Sequence, residues 1–312
     1  MSVSTRSPAL TRPEGSEPAD FHLSRRGLGV ALFGGYAAFS LSAQAEPIVT
    51  DTQGLITDTA SVPEGGGVLP AYIARPEASG RFPVVLVVSE VFGVHAYIQD
   101  VCRRFAKLGY VAIAPDFFIR ADQRHTLSTT KDFKEIQRIV ATASNEQVLG
   151  DIGATLDWLG RQPFVDRRRQ AITGFCWGGA AVWMACARYS AFNCGVAWYG
   201  RLSRPAPSAF LGSERRPWPL DIVPELRAPM LGLYGGQDKG IPESDIDAMR
   251  AALKADGKQG SDLIVYPQAQ HGFHADYRES YDPAAAKDSW ARCLAFLDAH
   301  HCAPGVKHGF FG

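Results

Sequence analysis

Ala171-Ile172-Thr173-Gly174-Phe175-Cys176-Trp177-Gly178-Gly179-Ala180 is the stretch on which the reading of this chain turns. A short apolar run leads into a residue with glycine two places before and two places after it. A small-residue stretch through Trp183, Met184 and Ala187 follows, so the pattern predicts a strand, a tight turn and a helix. Such an elbow lifts one side chain off the strand end, because the glycines let strand and helix approach closely. The lifted residue is Cys176. At a helix N-terminus a thiolate is favoured by the dipole, and free backbone N–H groups are left over as donors for an oxyanion. Taken alone, these residues also fit a buried structural cysteine in a glycine-rich turn.

The segments around the elbow repeat one theme. Phe82 to Val88 is a continuous β-branched and apolar run, as in a strand covered on both faces of a parallel sheet. A helix over 96–108, stopped by Gly109, and a strand over 110–114 complete a βαβ unit. Weak alternation over 68–74 predicts edge strands before it. After a polar, weakly helical insertion over 117–142 comes a helix over 145–159. Beyond the elbow, strands are expected at 194–199, 230–234 and 263–266, with helices at 241–255 and 284–300. This alternation predicts one doubly wound, mostly parallel α/β sheet with helices on both faces.

Composition narrows the function. The 312 residues hold 32 Lys and Arg against 32 Asp and Glu, so the chain lacks the basic excess of a nucleic-acid binder. Residues 1–20 are polar and aperiodic, which predicts disorder. Ser24-Arg25-Arg26-Gly27-Leu28 precedes an apolar run over 30–41 that is too short to span a bilayer and ends in Ala43-Gln44-Ala45. Twin arginines, a mildly apolar run and an A-x-A site resemble a twin-arginine export signal cleaved after Ala45. An uncleaved anchor is the other reading of that segment. The expectation is a signal over 1–45, a single domain over 46–312, a periplasmic location and no stable membrane insertion, with the twin-arginine export machinery as a partner.

Six cysteines, at 102, 176, 186, 194, 293 and 302, lack the short paired spacing of a disulfide framework. His300-His301-Cys302 and His308 have no second half of a metal site, so neither metal nor cofactor is expected.

In a sheet of this kind the residues just past the strand ends converge. Asp238, in Gly235-Gly236-Gln237-Asp238, and His271, in Gln270-His271-Gly272-Phe273, follow two later strands. The order nucleophile, acid, histidine is that of α/β-hydrolases generally. A histidine can take the thiol proton and return it to a leaving group, and a carboxylate fixes its tautomer. Separately, each is as well explained as a turn or surface residue. Glu90, just past the strand over 82–88, is costly to bury without a partner, and Arg120 is the cation at hand.

Five motifs stand in order: Glu90-Val91-Phe92-Gly93, Ala114-Pro115-Asp116-Phe117-Phe118-Ile119-Arg120, Gly174 to Gly178, Gly235 to Asp238, and His271-Gly272-Phe273. On these the chain from about residue 65 to 300 resembles the dienelactone hydrolase (carboxymethylenebutenolidase) family of the α/β-hydrolase fold. The resemblance implies a Cys176-His271-Asp238 triad, hydrolysis of a small ester or lactone through an acyl-enzyme, and a Glu90 that holds the resting thiol. It also implies an oxyanion hole from the backbone N–H groups of Trp177 and Val91. Arg120, Tyr199 and Phe273 would be the substrate contacts, with Arg120 anchoring a substrate carboxylate. The family's H-S-x-x-R is broken here, with Gly272 and Ala275 in the serine and arginine places and His274 and Arg278 nearby. A weakened preference for acidic substrates is therefore expected. A periplasmic thiol protein acting in redox chemistry or ligand binding, without hydrolysis, is the alternative on the same fold, although no C-x-x-C is present.

Overall fold

The computed structural model describes residues 47–207, 209–212 and 215–304. The expected disordered start, export signal and cleavage point, and His308, lie outside these residues.

Eight strands form one sheet in the order β1-β2-β4-β3-β5-β6-β7-β8. β1 (Leu55–Glu64) and β2 (Gly67–Pro76) make an antiparallel hairpin, and β2 pairs antiparallel with β4 (Val111–Pro115). From β4 through β3 (Phe82–Val88), β5 (Val165–Phe175), β6 (Cys194–Trp198), β7 (Met230–Gly235) and β8 (Asp262–Tyr266) all pairing is parallel. All seven residues of β3 are buried, as its unbroken apolar run requires of a strand covered on both faces. The edge strand β8 is only half covered.

The helices are α1 (Ala96–Lys107), α2 (Phe133–Val140), α3 (Asn145–Leu159), α4 (Trp177–Arg188), α5 (Glu243–Ala255) and α6 (Pro283–Ala299). Local chemistry sets their starts: Ser144 accepts from Gln147 N–H at the head of α3, and Asp282 accepts from Ala284 and Ala285 N–H at the head of α6. The insertion expected to be weakly helical holds a true helix, α2, because Asp132 caps it and Ile136, Ile139 and Val140 bury one face. The loop over 202–227 likewise contains a 3-10 turn, Pro219–Glu225.

The elbow is the tightest point of the fold. A Cβ on Gly178 would lie 2.5 Å from the carbonyl oxygens of Val88 and Ser89, and one on Gly174 would lie 2.5 Å from the carbonyl oxygen of Gly178. Strand β5, helix α4 and the end of β3 are therefore in backbone contact, which only glycine permits. Gly178→Ala should force the helix off β3, lower stability by about 3 kcal/mol and reduce soluble yield. Thermal unfolding checks this, and an unchanged Tm would show that the contact can relax.

Candidate active site

Strand β5 ends at Phe175 and α4 begins at Trp177, which leaves Cys176 alone between them with φ 57° and ψ −118°. A non-glycine residue at positive φ is strained and persists only where the surroundings hold it. Here they do: Cys176 N–H donates to the Trp198 carbonyl at 2.9 Å, and the Cys176 carbonyl accepts from Gly179 N–H at 3.0 Å. The thiol is buried at the head of α4.

Asp238 and His271 come to it from the ends of β7 and β8. Asp238 Oδ2 lies 2.6 Å from His271 Nδ1. Its other oxygen accepts from Gly240 N–H at 2.8 Å, which fixes the carboxylate within its turn. Cys176 lies close enough to the imidazole to raise its pKa. Burial lowers the pKa of His271, but the Asp238 carboxylate and Cys176 raise it further, to about 10. The three residues placed together by chain order thus sit together in space, in the sequence carboxylate, imidazole, thiol.

Trp177 is the first residue of α4, and the N–H of a first helical residue has no acceptor within its own helix. Val91 follows Glu90 in the turn after β3, where Gly93 N–H donates to the Glu90 carbonyl. Tyr199, just past β6, is another strained residue at φ 38°, and its ring meets His271 edge-on at 5.1 Å and Phe273 at 5.4 Å. Tyr199 and Phe273 are fully buried and wall the imidazole.

Glu90 is fully buried, and its cation is not Arg120. Arg278 Nη2 donates to Oε1 at 2.9 Å, while Tyr277 Oη donates to Oε2 at 2.6 Å and His95 Nε2 lies 3.3 Å from the same oxygen. Arg278 also lies over the rings of Phe92 (5.3 Å) and Tyr277 (5.5 Å). Burial would raise the pKa of Glu90, but Arg278, His95 and Tyr277 outweigh it and hold the group at about 2. Both Glu90 oxygens are thus engaged by these three groups.

Arg120 points elsewhere. It forms a fork on Asp151, with Nη2 2.7 Å from Oδ1 and Nη1 2.9 Å from Oδ2, and it also pairs with Glu64. The expected Arg120–Glu90 pairing is thus replaced by Arg278–Glu90, because the chain after β8 turns back over the site while Arg120 faces α3 and the β1–β2 hairpin. Sequence reading noted Arg278 only as a neighbour and missed His95 and Tyr277. Their signal was faint, since none belongs to a spaced motif. Among the described residues no group of three His, Cys, Asp or Glu side chains is arranged to hold a metal ion. No described helix is long and apolar enough to cross a membrane.

A parallel sheet with an elbow nucleophile position after β5, an acid after β7 and a histidine after β8 defines the α/β-hydrolase class. The sequence pattern of the dienelactone hydrolase family matches residues 69–301, and the chain belongs to that family. A protein of Methylorubrum extorquens, named provisionally as a carboxymethylenebutenolidase, is 44% identical over 272 residues, covering 86% of this chain and 91% of its own. An Escherichia coli K12 protein with the same provisional name is 41% identical over 268 residues, covering 84% and 94%. A crystal structure from Klebsiella pneumoniae, described provisionally as a dienelactone hydrolase, superposes with a TM-score of 0.70 at 40% identity, covering 78% of this chain and 98% of that one.

Proposed function

We propose that this protein is a cysteine-dependent hydrolase of a small carboxylic ester or lactone, working through an acyl-enzyme. The observation that carries this reading is the carboxylate–imidazole–thiol line. Asp238 sits 2.6 Å from Nδ1 of His271, and Cys176 meets the same ring from a strained elbow. His271 takes the thiol proton and the thiolate attacks the carbonyl carbon. The oxyanion is received by the Trp177 and Val91 N–H groups, and the imidazolium then protonates the leaving oxygen. Water, deprotonated by the same imidazole, attacks the thioester and releases the acid. In a lactone the leaving alcohol stays tethered to the acyl group, so the same steps open the ring.

Support comes from family membership and from relatives named as carboxymethylenebutenolidases. The test is intact-protein and peptide mass spectrometry after brief mixing with short acyl esters and lactones. An acyl adduct on Cys176 is expected, absent in Cys176→Ala, and turnover without any adduct at Cys176 would reject the mechanism. A redox role is disfavoured by surroundings: the five other cysteines are all free and buried, and the nearest in sequence, Cys186, lies within α4.

The export reading supports a periplasmic site of action, with the twin-arginine machinery as the partner that recognises Arg25-Arg26. Exported protein should begin at Glu46 on N-terminal sequencing. Arg25→Lys with Arg26→Lys should leave it in the cytoplasm, and unchanged export would remove that assignment.

A further inference from the structure

Resting on the hydrolase reading, we propose that the cleft between α3, α4 and the loop over 202–227 holds the acyl arm of the substrate, an apolar chain carrying one hydrogen-bond acceptor. The floor of the cleft is a face of α4, where Trp177, Ala180, Ala181 and Met184 recur at helical spacing. Trp177 directly follows Cys176, so this wall starts beside the nucleophile position and runs about 10 Å along the helix. Ala180 and Ala181 are half-buried, and their small side chains leave the room. Val148 of α3 supplies a facing apolar wall, and Trp218 of the loop an aromatic one. Arg216 lies 4.7 Å over the Trp218 ring, and its Nη1 donates to Asn145 Oδ1 at 3.1 Å. Asn145 Nδ2 in turn donates to the Pro217 carbonyl at 3.1 Å. The loop is thereby pinned to the head of α3, and the cleft is formed before any ligand enters.

Two observations select the occupant. His271 must face the leaving oxygen to protonate it, so the leaving group lies on the β8 side of the thiol. The acyl arm, on the other bond of the carbonyl carbon, is then turned away from β8, and α4 packs on β5 and β6 in the middle of the sheet. The second observation concerns Trp218. It is 3% exposed, and its indole Nε1–H is buried with no acceptor among the described residues. A keto, ether or hydroxyl oxygen on the arm would satisfy that donor, whereas a purely hydrocarbon arm would leave its desolvation uncompensated.

The test uses three 4-nitrophenyl esters on the full protein: the acetate, the hexanoate and the 5-oxohexanoate. Wild-type kcat/KM is expected to rise by about tenfold or more from the acetate to the 5-oxohexanoate, with the hexanoate between them. Ala181→Phe, which fills the cleft from a half-buried helix position, should lower the 5-oxohexanoate-to-acetate ratio by about tenfold or more. Ala180→Leu should move it in the same direction and serves if the phenylalanine variant does not fold. Trp218→Phe, which removes the N–H and keeps an aromatic ring, should bring the 5-oxohexanoate down to the hexanoate. The same ratios are read without turnover as calorimetric affinities in a Cys176→Ala background. Ratios unmoved by both filling variants, in turnover and in binding, would overturn the proposal and leave the hydrolase reading standing. If none of the esters is turned over but the binding ratio persists and filling abolishes it, the hydrolase reading fails and the cleft stands.

Discussion

Replacing Cys176 with alanine is expected to lower kcat/KM for a short acyl ester by about four orders of magnitude or more, with binding of the same ester little changed. The size follows from the geometry. On the proposed mechanism Asp238, His271 and Cys176 act as one unit, so losing the nucleophile leaves only positioning and the backbone donors. Cys176→Ser should fall nearly as far. On the proposed mechanism a hydroxyl gives up its proton far less readily than a thiol, so the imidazole must work much harder to activate it. Asp238→Asn should cost about 10⁴-fold as well, since an amide facing Nδ1 favours the wrong tautomer. Full activity in Cys176→Ala, measured on protein purified away from host esterases, would remove the thiol from the mechanism. Iodoacetamide should also modify Cys176 ahead of the other five cysteines, of which Cys102, Cys186 and Cys293 have thiol pKa values pushed far up by burial.

Arg278→Met should be the most destabilising single change at the site, at about 3 to 5 kcal/mol, because it strands the Glu90 carboxylate in the interior. The double variant Arg278→Met with Glu90→Gln should recover a large part of that loss. Denaturant unfolding of the four proteins closes the cycle, and equal stability of the single and double variants would show that Glu90 does not depend on this cation. The same pair sets an acid limit. Glu90 ionises in the folded protein at about 2, well below the usual 4.5 of a glutamate. A depressed folded pKa adds stability that is full above the unfolded value. It is lost as pH falls from about 4.5 towards 2, so wild type should lose stability steeply there and the double variant less so.

Much of this was legible in order along the chain. The unbroken apolar run of β3 could only be a strand buried on both faces, and the glycines around Cys176 could only serve a turn too tight for side chains. Period, flanking glycines and strand-helix alternation are local properties, which is why α3 (Asn145–Leu159) and the elbow were predictable to within a residue or so. The order Cys176, Asp238, His271 likewise located three groups at strand ends, since a parallel sheet brings its carboxyl ends together whatever the loops do.

What only the tertiary structure decided was which charges meet. Glu90 and Arg278 are separated by most of the chain, and whether Arg120 or Arg278 answers Glu90 depends on how the segment after β8 folds back over β3. Arg120 instead meets Asp151 and Glu64, from a helix and a hairpin that lie on its other side. Side chains three to six bonds long can turn to either side of a strand end, so sequence spacing does not fix their partners. The sequence by itself determined the sheet, the elbow and the identity of the three groups in line. The folded chain alone determined that Arg278 answers Glu90 and that Arg120 turns away to Asp151 and Glu64.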